Sequence, residues 1–62
     1  MKNKDIRMML EGSGVKYWEL AEACGHRPTW LSMKLRQELP EDEKLKMIFL
    51  IQQIAEQKEV EA

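Results

Sequence analysis

The chain has 62 residues with 10 basic, 11 acidic and 44% hydrophobic positions and a formal net charge of −1, a balance that fits a folded domain rather than a disordered tail. At this length there is room for one domain and one small core that hides only about 60% of the unfolded surface, so close helix packing or a partner chain has to help. Cys24 is the one cysteine, which excludes an intrachain disulfide framework and points to a reducing compartment; the longest apolar run, Met47 to Ile51, is too short for a bilayer and no basic-then-apolar leader opens the chain, so a cytoplasmic protein outside the membrane is expected.

The first helix is predicted from about Asn3 to Glu11, with Asn3 as its cap and Ile6, Met9 and Leu10 on one face. Gly12, Ser13 and Gly14 are expected to stop it, because glycine accepts the left-handed geometry of a helix terminus. In the second helix Tyr17, Leu20, Ala21 and Cys24 fall at i, i+3, i+4 and i+7, the spacing of one buried stripe. Ala21 is small enough to let a crossing helix seat closely, and Gly25, four positions later, supplies a turn. Trp18 is expected to pack beside the core over neighbouring helix ends.

The third helix begins near Pro28, whose missing N–H costs nothing at a first helical position. Leu31 and Leu35 face inward at i and i+4. That leaves Thr29, Ser32, Met33 and Arg36 on the opposite side, with Arg27 just before the helix. Short polar residues let a backbone approach a major groove, and arginines at both ends reach phosphates or guanine edges. Trp30, beside Leu31, fits either the edge of that face or a protein contact.

The last helix is predicted from about Pro40 to Lys58, with Glu41, Asp42 and Glu43 in the first turn where carboxylates meet the helix dipole favourably. Its apolar residues run almost all the way round. We expect Leu45, Ile48, Phe49 and the segment from Gln52 to Ala55 to line the core, leaving Met47, Leu50, Ile51 and Ile54 for a homodimer contact. The other reading is that a long helix across three short ones needs a wide apolar face of its own. Residues 59–62 are expected to fray. Together these elements make residues 1–62 a single all-α domain, a compact four-helix fold with a central helix-turn-helix and a longer C-terminal helix.

Charge is unevenly distributed. Met1 to Gln37 carries a net +3, with Lys2, Lys4, Arg7, Lys16, Arg27, Lys34 and Arg36 against Asp5, Glu11, Glu19 and Glu22. From Glu38 onward the net is −4, with only Lys44, Lys46 and Lys58 as cations. Such segregation either presents a basic face to phosphates or reflects solvated helix faces. Catalytic chemistry lacks its parts, since His26 and Cys24 are the only imidazole and thiol and no glycine-rich phosphate loop is present. A metal at Cys24 and His26 needs two further ligands. No enzyme activity, metal, cofactor or small-molecule ligand is expected.

The stretch from Ile6 to Ile54 resembles the small phage-repressor or Cro-type helix-turn-helix regulators of the lambda-repressor-like group, particularly short versions on mobile elements of Gram-positive bacteria. The resemblance rests on Tyr17-Trp18-Glu19-Leu20-Ala21, Gly25, Leu31-Ser32-Met33-Lys34-Leu35-Arg36 and Leu39-Pro40-Glu41-Asp42-Glu43-Lys44, and covers about four-fifths of the chain. This chain departs from the pattern at His26, where an aliphatic residue is common, at Met33, where a polar or basic one is common, and at Arg27, which cannot cap a helix as serine does. The resemblance implies base contacts from Pro28, Thr29, Ser32 and Met33, the last through a thymine methyl. It implies phosphate contacts from Lys16, Tyr17, Arg27 and Arg36, with Lys34 on the flank. The expected function is sequence-specific binding of double-stranded DNA as a dimeric, repressor-type transcription regulator, with a recognition helix from about Pro28 to Arg36 in the major groove. The alternative is a protein-interaction module, antitoxin-like or adaptor, that uses Trp30, Met33 and the last helix.

Overall fold

A computed structural model describes residues 2–61 and folds them into four helices, α1 (Lys4–Ser13), α2 (Tyr17–Ala23), α3 (Pro28–Lys34) and α4 (Glu41–Glu61). No strand occurs among the described residues. The all-α architecture, the central pair of short helices and the long last helix are those read from the sequence. Ile6, Leu10, Leu20, Ala21, Leu31, Leu35 and Ile51 are buried, and all four helices meet around them. Each large apolar side chain hidden there contributes about 2 kcal/mol of transfer free energy. Ala21, with no exposed surface, sits where α2 packs against its neighbours, and a longer side chain there would push them apart.

The helix ends follow local chemistry. α1 runs through Gly12 and Ser13, further than expected, because the Ser13 hydroxyl donates to the Met9 carbonyl at 2.7 Å and closes the last turn. Gly14, at φ 72°, then turns the chain in the left-handed region. At the start of α2 the Glu19 carboxylate reaches back to accept the Lys16 amide at 3.0 Å. That is the acidic half of a capping box, formed without a capping side chain at Lys16.

Asn3 stands at the expected N-cap of α1, its carbonyl accepting the Arg7 amide at 3.0 Å, but its side chain makes no cap. Its backbone is left-handed at φ 57°, and its side chain turns inward, fully buried. There Nδ2 donates to the carbonyls of Leu35 at 3.0 Å and Gln37 at 2.8 Å, while Oδ1 accepts the Leu39 amide at 2.9 Å. One asparagine thereby satisfies the backbone of the α3–α4 connection, which has no helical partner of its own. Among the described residues no buried side-chain polar atom lacks a partner.

α4 packs in a phase different from the expected one. Met47 and Ile51, expected at a dimer contact, are buried in the core of the chain itself. Leu50 and Ile54 are half-buried against that core, as is Ala55. Leu45 and Phe49, expected inside, are instead 60% and 58% exposed. The reason is periodicity: apolar residues nearly surround this helix, so two faces satisfy the same i, i+4, i+7 rule. Tertiary partners decide between them. Lys58 lies on the Met47–Ile51 stripe and donates to the Gly14 carbonyl at 3.1 Å while pairing with Glu19 at 2.6 Å. Near the other end Lys44 pairs with Glu38 and, at 3.4 Å, with Asp5. These two lysines tie the start of α1 to the start of α4 and the end of α1 toward its end, so the two helices run in the same sense. α4 continues helically to Glu61, beyond the expected end at Lys58 and through the segment expected to fray, while Ala62 lies outside the described residues.

Candidate nucleic-acid interface

The α2–α3 connection is a glycine turn of defined chemistry. The His26 amide donates to the Ala21 carbonyl at 3.0 Å and the Gly25 amide to the Glu22 carbonyl at 2.9 Å. That paired 6→1 and 5→2 arrangement, with Gly25 at φ 80°, is a Schellman motif. It ends α2 and redirects the chain within three residues. His26 lies flat on Trp30, ring centroids 3.9 Å apart and planes 11° from parallel. The stack fixes the approach to α3 from outside the core. Arg27 is extended at φ −82° and makes no side-chain cap, and Pro28 occupies the first turn.

Leu31 and Leu35 point inward from α3 with 0% and 1% exposure. The opposite face is thereby left to solvent. Arg27, Pro28, Thr29, Ser32, Met33 and Arg36 are all exposed, and the one-turn spacing of Thr29, Ser32 and Met33 collects them on one side of α3, which ends at Lys34 rather than at the expected Arg36; Arg36 follows in the turn, its amide donating to the Met33 carbonyl at 3.2 Å. Lys34 is set apart from this group: it turns toward α4 and pairs with Glu43 at 3.2 Å.

Lys16 and Tyr17, at the start of α2, are exposed. The Arg7 guanidinium donates to the Tyr17 hydroxyl at 3.4 Å and to the Leu35 carbonyl at 3.4 Å. Arg7 therefore joins the start of α2 to the end of α3, beside Arg36, and adds a cation that sequence periodicity did not single out. Its one sequence signal is its place next to inward-facing Ile6. Trp18, expected beside the core, is 51% exposed and lines a shallow groove with Glu22 and Ile54. Leu50 lines a second groove with Cys24 and Trp30. Burial pushes the Cys24 thiol upward, which keeps it protonated.

The electrostatics sharpen the charge split seen in the sequence. Asp5 and Glu19, two carboxylates of the basic half, are held by lysines of the acidic half, Lys44 and Lys58. The Lys58 ammonium and the Lys16 amide hold the Glu19 carboxyl below its usual range. Lys44 and the Asn3 amide do the same for Glu38. Lys16, Arg27 and Arg36 make no ion pair among the described residues. On the α2–α3 side Glu19 is paired while Glu22 is an exposed acid without an ion pair among the described residues, so the unpaired Lys16, Arg27 and Arg36 leave a net positive charge there that favours an anionic partner.

No known protein family, curated protein or solved structure matches this chain. Among the described residues no helix is long and apolar enough to cross a membrane, and no three His, Cys, Asp or Glu side chains gather as a metal site would require.

Proposed function

We propose that this chain is a non-enzymatic, sequence-specific regulator that binds double-stranded DNA by inserting α3 into the major groove. The observation that carries the reading is the outward face of α3, where Thr29, Ser32 and Met33 stand between the unpaired cations Arg27 and Arg36. Thr29 and Ser32 supply short hydrogen-bonding groups for base edges, Met33 an apolar contact for a thymine methyl, and Pro28 close backbone approach. Lys16 and Arg7, on either side of Tyr17, add charge for the phosphates of the same groove. Lys34 contributes less, because Glu43 already neutralises it. One such module buries too little surface for tight recognition, so two copies on a pseudo-palindromic site complete the reading.

Binding of duplex fragments from the gene's own locus, followed by fluorescence anisotropy across a salt series, tests it. Affinity should fall steeply as salt rises, as it does when cations displace counterions from phosphates. Absence of binding at low salt would remove the proposal.

A second reading, a protein-interaction module on the same scaffold, draws on Met33 at 67% exposed. That is an apolar group where base readers are usually polar. Tryptophan fluorescence separates the two, since Trp30 on α3 should respond to duplex DNA under the first reading and only to a protein under the second.

A further inference from the structure

α4 carries an apolar surface that neither the core nor the α3 face uses. Leu45 and Phe49, one turn apart, are 60% and 58% exposed, with half-buried Ile48 at their edge. They lie opposite Met47 and Ile51, the residues through which α4 packs. Isolated exposed leucines are ordinary on a protein surface. Two large apolar side chains stacked along one helix face are the pattern of a helix-in-groove or helix-on-helix contact.

The charges around this patch select its occupant. Glu41 and Asp42 stand one turn before Leu45, and Glu56 stands one turn beyond Gln52 and Gln53, all exposed. The patch is thus apolar in the middle and acidic at both ends. Among the described residues Lys46 makes no ion pair, and it borders the groove on the α3 side with Lys34 and Glu43. A second copy of this chain is a poor occupant. A parallel two-fold pairing of the patch sets Glu41 and Asp42 against their own counterparts, and an antiparallel one that puts Leu45 opposite Phe49 sets them against Gln53 and Gln52, so neither supplies the cations these carboxylates attract. We infer that the outer face of α4 docks a cationic amphipathic helix of another protein, whose apolar stripe covers Leu45, Ile48 and Phe49 and whose lysines or arginines meet Glu41, Asp42 and Glu56.

This inference does not rest on the DNA reading, since Leu45, Phe49, Glu41, Asp42 and Glu56 all belong to α4 and none of them to α3 or the start of α2.

Two labelled synthetic helices test it, sharing one leucine face and carrying either lysine or glutamate on the polar face. The full chain should bind the lysine helix and not the glutamate helix, and binding should weaken as salt rises. The Leu45→Gln/Phe49→Gln variant should bind it at least about tenfold more weakly, as expected for loss of central apolar anchors. Its melting temperature and duplex affinity should stay those of the parent. The Glu41→Gln/Asp42→Asn/Glu56→Gln variant should flatten the salt dependence. Equal binding of both helices, or equal binding by parent and Leu45→Gln/Phe49→Gln, overturns the inference. So does a parent dimer that this variant turns into a monomer, since the occupant is then a second copy.

Discussion

Replacing Asn3 by alanine is expected to lower the free energy of unfolding by about 3 kcal/mol, read from urea denaturation at neutral pH. The change removes the donor to the Leu35 and Gln37 carbonyls and the acceptor of the Leu39 amide, all at the α3–α4 connection. Nothing replaces those partners at a fully buried position. Each unmet buried group costs on the order of 1–3 kcal/mol, and alanine tolerates a left-handed backbone less well than asparagine does. Against a net stability of roughly 5 kcal/mol for so short a chain, the loss approaches unfolding. Asn3→Gly separates the two causes: it relieves the backbone at φ 57° but not the lost hydrogen bonds, so it should recover only a minor part. An unchanged midpoint for Asn3→Ala would mean that the connection holds itself.

The double variant Arg27→Ala/Arg36→Ala is expected to bind duplex DNA on the order of ten- to a hundredfold more weakly at low salt, and to reduce the slope of log affinity against log salt by about 2. Both side chains are exposed and neither makes an ion pair among the described residues, so folding should not depend on them. Lys34→Ala is the matched comparison. Because the Lys34 ammonium is already shared with Glu43 at 3.2 Å, its removal should change the slope by much less. If Lys34→Ala and the arginine double variant had equal effects, the phosphates would run along the flank of α3 rather than its outer face.

Where the backbone itself makes a demand, the sequence was readable. Ala21 must be small for α2 to seat, Gly25 must turn left-handed, and Leu31 with Leu35 must face inward; these few constraints define α2, the turn and α3, and with them the exposed set Thr29, Ser32, Met33 and Arg36. Where several solutions satisfy one local rule, it was not. α4 has apolar residues on nearly every side, so the choice of Met47 and Ile51 over Leu45 and Phe49 is made by contacts with α1, α2 and α3. Asn3 has the side chain of a helix cap, and only the distant carbonyls of Leu35 and Gln37 reveal its other use. Trp18 sits beside the inward stripe in sequence but just outside it in angle, which leaves the indole half in solvent. Arg7 was hidden for a related reason, since its partners, Tyr17 and Leu35, lie on other helices.

DNA binding as proposed here places the duplex on the face built by α3 and the start of α2. Titrating the isotopically labelled chain with a duplex from its own locus, and following backbone amide shifts by NMR, tests this most directly. The largest shifts are expected on Lys16, Tyr17 and the segment from Arg27 to Gln37, while those of Leu45, Phe49 and Gln52 should barely move. Shifts centred on the outer face of α4, or none across the titration at low salt, would contradict it.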